Sequence, residues 1–237
     1  MRCNLLVPAL LAASTFCSLS EAATISNPVS FLLPGFSTGS LTAGLPSSPN
    51  NDNATAASPN LISFSIFFNS GGLGPADLEF GLSNSAGTTE YRAGSAGLGL
   101  VNNTGSPFTG FLAELGFGTG ADFVRSAGGD GLDFDTPDRD PAPALPAFSA
   151  LTHDPASLRW SGGMVPSIGA FVVGFSIDVP DGLEAVHPGG LNRFTLRLTP
   201  ISEAAVPEPA TAFLTLFGLS SIGLTLRKSI VRSTGKK

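Results

Sequence analysis

A chain of 237 residues with a formal net charge of −6 and 13% charged residues is long enough to bury one sizeable core, and too acidic to seek nucleic acid or anionic lipid. The acidity is concentrated in the middle, where residues 24–206 hold six basic residues against sixteen acids and no lysine. The two cysteines are Cys3 and Cys17 and the two histidines are His153 and His187, so there is no disulfide framework, cysteine metal site or three-histidine zinc centre to build beyond the leader.

Residues 1–22 read as a secretory signal peptide: Arg2, an apolar core from Leu5 to Phe16, then Ser20-Glu21-Ala22. Small residues around the cut place it between Ala22 and Ala23. A lipoprotein leader with Cys17 as the lipid-bearing residue is disfavoured by the bulky Phe16 in front of it. Both cysteines depart with the leader. Export of this kind makes the Sec machinery a partner.

The body, residues 23–205, has β character. Pro28 to Asn60 is rich in Pro, Ser, Asn, Gly and Thr and reads as a short strand near Val29 to Leu33 followed by a loop-like connection. Within it Gly35-Phe36-Ser37-Thr38-Gly39 has the spacing of a hydrolase nucleophile elbow, but no helix pattern follows the serine, so a glycine-rich loop is the better reading. Ile62, Phe64, Ile66 and Phe68 then alternate with Ser63, Ser65 and Phe67, a period of two that specifies a half-buried strand. Weaker strands fall at Leu78 to Leu82, Leu98 to Val101, Phe111 to Phe117 and Leu158 to Trp160. Phe171, Val173, Phe175 and Ile177 share one face of a later strand, and Phe194, Leu196 and Leu198 one face of the last. Short strands, abundant glycine and no amphipathic helix give an all-β fold: an antiparallel β-sandwich, jelly-roll-like, rather than a β-solenoid, because no fixed-period repeat exists. Eighteen phenylalanines against one tyrosine and one tryptophan point to rings used for packing; a sugar-stacking platform would favour Tyr91 or Trp160 exposed on a strip.

Between Asp130 and Asp140 stand five carboxylates, Asp130, Asp133, Asp135, Asp138 and Asp140, hard oxygen donors of the kind calcium takes. Gly128-Gly129-Asp130-Gly131-Leu132-Asp133 opens like a calcium-binding nonapeptide repeat, yet Asp135 occupies the apolar position and the motif occurs once. A solvated acidic loop with an Asp-Gly turn is favoured over the calcium site. His153 and His187 each stand beside turn-forming residues and read as surface histidines. No other cofactor is expected.

The chain closes with Val206-Pro207-Glu208-Pro209, an apolar run from Ala210 to Leu226, and the basic tail 227–237 opening on Arg227-Lys228. The run is about 25 Å long as a helix, enough for a single transmembrane crossing if Arg227 and Lys228 snorkel and stop it at the interface. The tail carries five cations and no acid, which orients the anchor with the body outside and the tail in the cytoplasm.

Residues 206–237, with motif, span and basic stop in that order, resemble the PEP-CTERM sorting signal of Gram-negative bacteria, also described under an ice-binding protein C-terminal name. The resemblance implies recognition of Pro207-Glu208-Pro209 by a membrane-embedded exosortase, removal of the anchor, and delivery to the cell surface or an exopolysaccharide matrix. Two prolines hold Glu208 extended as it nears the membrane, as a recognition segment requires. Gly97 to Gly118, with Val101-Asn102-Asn103-Thr104-Gly105 and Phe111 to Gly116 within it, is similar to the β-rich choice-of-anchor domains that precede such signals. These readings together describe a non-enzymatic exported protein with an adhesive or structural role in the biofilm matrix, with a carbohydrate- or calcium-binding module as the alternative and a secreted hydrolase behind both.

Overall fold

The computed structural model describes residues 24–44, 60–83, 89–127, 129–135, 143–180 and 182–202. Their strands form two sheets. The first holds, in spatial order, β1 (Thr24–Leu32), β4 (Ala76–Ser83), β13 (Arg193–Ile201), β6 (Gly110–Phe117), β10 (Ser157–Ser161) and β9 (Ala150–Asp154), with β7 (Val124–Arg125) beside β6. The second holds β2 (Thr38–Gly44), β3 (Leu61–Phe68), β5 (Thr89–Asn102), β12 (Gly174–Val179) and β8 (Asp133–Phe134), with β11 (Gly169–Phe171) on β5.

Alternation decides which faces meet. On β3 Ile62, Phe64, Ile66 and Phe68 are buried, and on β13 Phe194, Leu196 and Leu198 face them from the other sheet side of one continuous core. Phenylalanines fill the space between the sheets: Phe80 stacks on Phe194 at 4.9 Å, and Phe111 meets Phe171 edge-on at 5.4 Å. Each ring buried this way contributes about 2–3 kcal/mol of transfer free energy. Tyr91 and Trp160 are also inside, 0% and 2% exposed. The exposed aromatic strip that a sugar platform would need is therefore not built from them.

Three expectations are corrected. The sandwich is not antiparallel throughout, and the jelly-roll path is interrupted, because β3 and β5 pair in parallel. The chain leaves β3, crosses to the first sheet as β4, and returns in its original direction as β5. The connection expected between Leu33 and Asn60 contains β2, paired along Thr38 to Gly44 with β3; small residues on an edge strand leave no apolar alternation to read. The strand expected from Phe171 to Ile177 is two, β11 and β12, both on β5. The break faces Gly99, whose φ of +76° places its α-carbon so that a Cβ would lie 2.5 Å from the carbonyl oxygen of Phe171.

Candidate functional site

Two regions carry the functional expectations, the acidic stretch and the C-terminal signal. Within the first, Asp130 is committed to its own loop: Ser126 Oγ donates to both its oxygens at 2.8 and 2.9 Å, and the Leu132 N–H donates to Oδ1 at 3.1 Å. This is an Asx turn that closes the loop. Asp133 lies on β8, directly opposite Asp178 of β12, and buried Asp135 follows, its N–H bonded to the Ser176 carbonyl at 3.1 Å. Asp138 and Asp140 lie outside the described residues.

The fold parts Asp133 and Asp135 from Asp130 and keeps the two beside one cleft. The Phe134 N–H donates to the Pro155 carbonyl at 2.7 Å, tying β8 of one sheet to the β9–β10 turn of the other. Between them opens a cleft of about 600 Å³ lined by Asp133, Asp135, His153, Asp154 and Asp178. His153 stands on β9 at the turn, not within a loop as its neighbours suggest. Asp154 is paired with Arg125 and accepts from Ala156 N–H and Ser157 Oγ at 3.0 Å each. Partial burial pushes its carboxyl up, but the bonds from Arg125, Ser157 and Ala156 outweigh that and hold it below the usual carboxylate range. Among the described residues no three His, Cys, Asp or Glu side chains gather as metal ligands. Asp154 and Asp178 entered this cleft unannounced, since only the β8–β12 register and the inter-sheet bond bring them there.

The serine of the Gly-x-Ser-x-Gly segment has a structural occupation. Ser37 Oγ accepts the Asn69 N–H at 3.3 Å, and the chain continues into β2 rather than a helix. Gly35, at φ +58°, presses against the Gly71 backbone where a Cβ would meet the carbonyl carbon at 2.5 Å. The glycines therefore serve a clasp between two turns. His187 accepts the Gly189 N–H on Nδ1 at 2.8 Å and packs edge-on against Phe117, and burial lowers its basicity.

The leader cut at Ala22 and Ala23, the motif Val206, Pro207, Glu208 and Pro209, the span 210–226 and the stop at Arg227 and Lys228 lie outside the described residues. The structure does fix where the signal is attached. β13 ends at Ile201, hydrogen-bonded to β4 on one side and β6 on the other. No helix among the described residues is long and apolar enough to cross a membrane.

Residues 205–229 match the family model of the PEP-CTERM protein-sorting motif. The chain thus carries the sorting signal of exported proteins that an exosortase processes and directs to the cell surface, ahead of which it places a two-sheet β body. No curated protein and no solved structure matches the chain.

Proposed function

We propose that this protein is exported by the Sec route, held for a time by one C-terminal helix with its body outside, cut by exosortase near Pro207 to Pro209, and released to a structural or adhesive role in the extracellular polysaccharide matrix, without catalysis. The observation that carries this reading is the sorting motif at 205–229 placed immediately after a central strand of a folded body. The body supports a non-catalytic role: Ser37 belongs to a turn clasp, and His187 is engaged by its own loop. Intact mass and terminal peptide mapping of the protein from its host's extracellular fraction test it. A start at Ala23 and loss of everything beyond about Pro209 is the expected result. Recovery solely in the inner membrane with Lys237 present would sink the processing step.

The second reading, a calcium-binding module, draws on Asp133, Asp135, Asp154 and Asp178 sharing one cleft. Against it stands Asp130, whose carboxylate is spent on Ser126 and Leu132. Titration calorimetry that gives no heat, with no thermal shift in millimolar calcium, would remove it. A carbohydrate module has less support, because Tyr91 and Trp160 are packed inside.

A further inference from the structure

The strand directions sort the connections of the sandwich into two sets. β13 ends at Ile201, and its register with β4, β6 and, through them, β1 and β10 puts Leu32, Ala76, Gly110 and Ser161 at the same end. β3, β5 and β11 place Phe68, Asn102 and Gly169 there too. The connections at this end are therefore residues 33–37, 69–75, 103–109 and 162–168, together with the approach to β9 at 143–149. These segments contain no Asp, Glu, Lys, Arg or His, whereas the exit segment 202–209, which leaves the same end, holds Glu203 and Glu208. Asp130 and Glu184 stand on connections that leave the other ends of the strands, and Asp154 closes β9 there.

The same end exposes apolar side chains at its loop tips. Phe36 is 81% and Ile168 84% exposed, and Leu32, Leu73 and Met164 are also open to solvent. These tips are held in place: Asn69 Nδ2 donates to the Phe36 carbonyl at 3.1 Å. Buried Asn102 donates through Nδ2 to the carbonyls of Ser106 at 2.8 Å and Pro166 at 2.9 Å, and its Oδ1 accepts the Thr104 N–H. Uncharged loops with pinned apolar projections are unusual on an acidic body, and such surfaces mark contact sites.

Chain length says what they contact. Eight residues, 202–209, separate the end of β13 from the apolar run that starts at Ala210, a reach of at most about 29 Å. The charged end stands about 30 Å further away along β13. This end is the one beside the bilayer.

We propose that, while the chain is anchored, the uncharged loops at this end of the sandwich seat Phe36 and Ile168, with Leu73 and Met164 beside them, in the headgroup region of the membrane that holds the anchor. The attraction is burial of apolar area rather than charge, so a zwitterionic surface suffices. The pose brings the end of β13, from which the sorting signal continues, to the bilayer surface. The inference rests on the anchored state of the proposed function.

The test uses the full chain with Cys3→Ser and Cys17→Ser, and Phe36→Cys, Ile168→Cys or, as a control, Glu184→Cys, each labelled with an environment-sensitive fluorophore. Labelled protein is reconstituted with phosphatidylcholine vesicles and floated on a density gradient. Floated protein whose labels at 36 and 168 shift to the blue and lose quenching by aqueous iodide, while the label at 184 stays quenched, is the expected result. Floated protein with all three labels equally quenched overturns the membrane-seated pose and leaves the anchor standing. Protein that stays at the bottom of the gradient overturns the anchored state and the pose with it.

Discussion

Arg197 and Asp77 make the pair whose loss the sandwich should feel most. They face each other across β13 and β4, with Nε to Oδ1 at 2.6 Å and Nη2 to Oδ2 at 2.8 Å, a bidentate fork. Nη2 also donates to the Gly120 carbonyl at 2.7 Å, the Gly120 N–H donates to Asp77 Oδ2 at 2.6 Å, and the guanidinium lies 3.9 Å over the Phe123 ring. The Asp77 side chain is 1% exposed and that of Arg197 14%, so water does little to compensate a broken pair. Arg197→Met strands a buried carboxylate and should cost about 3–5 kcal/mol, a fall of roughly 6–20 °C in Tm for a domain of this size. Asp77→Leu combined with Arg197→Met removes both charges and should recover most of that loss. Urea unfolding of the anchor-free protein, followed by the fluorescence of Trp160, the single tryptophan, reads all of these. If Arg197→Met stays within about 1 kcal/mol of the parent, the pair is no more than a surface salt bridge and the reasoning fails.

Alkali should weaken the fold through its single tyrosine. Burial pushes Tyr91 up to about 12, offset in part by the Ile25 N–H that donates to its hydroxyl. With the folded pKa above the unfolded 10, this stability is complete below pH 10 and lost as pH rises toward 12, about 3 kcal/mol in all; tyrosinate absorbance titrating near pH 10 in folded protein would contradict it. Two glycines separate steric from conformational cost. Gly99→Ala combines a φ of +76° with a carbonyl at 2.5 Å and should cost about 2–5 kcal/mol. Gly105→Ala, at φ +88° with open space around it, should cost about 1–2 kcal/mol. Equal urea midpoints for the two would show that the Phe171 carbonyl yields.

The strands legible in the sequence are those with one wet and one dry face. β3 was fully specified by Ile62, Phe64, Ile66 and Phe68, and β13 by Phe194, Leu196 and Leu198, because alternation reports burial directly. β2 was not, since Thr38-Gly39-Ser40-Leu41-Thr42-Ala43-Gly44 owes its extended form to pairing with β3 and not to its own pattern. Nor was the first half of β5, where polar Thr89 and Glu90 are buried alongside Tyr91. For the candidate site the limit was of another kind. The acids from 130 to 140 are adjacent in sequence, but a turn captures Asp130, while Asp133 and Asp135 border another cleft where strand register sets Asp133 opposite Asp178. The gathering of uncharged loops at one end was equally hidden, because composition becomes spatial only once strand directions are known.

The attachment of the sorting signal to β13 separates the two tasks of the chain. A signal hung from an edge strand could be pulled or cut at the cost of one ladder of hydrogen bonds, and its removal would leave an edge ready to pair with other chains. β13 is paired on both sides, with β4 over Arg193 to Leu198 and with β6 over Thr195 to Ile201. Its inward side chains Phe194, Leu196 and Leu198 are fully buried. Force applied through the anchor must therefore break two ladders and expose the core before the strand moves. The Thr109 N–H, which donates to the Ile201 carbonyl at 2.8 Å, closes the last rung before the exit. The proposed cut at Pro207 to Pro209 falls beyond that rung, and every core side chain among the described residues precedes it. Sorting can then act on a finished domain, and whatever the body does outside is independent of the tail that brought it there.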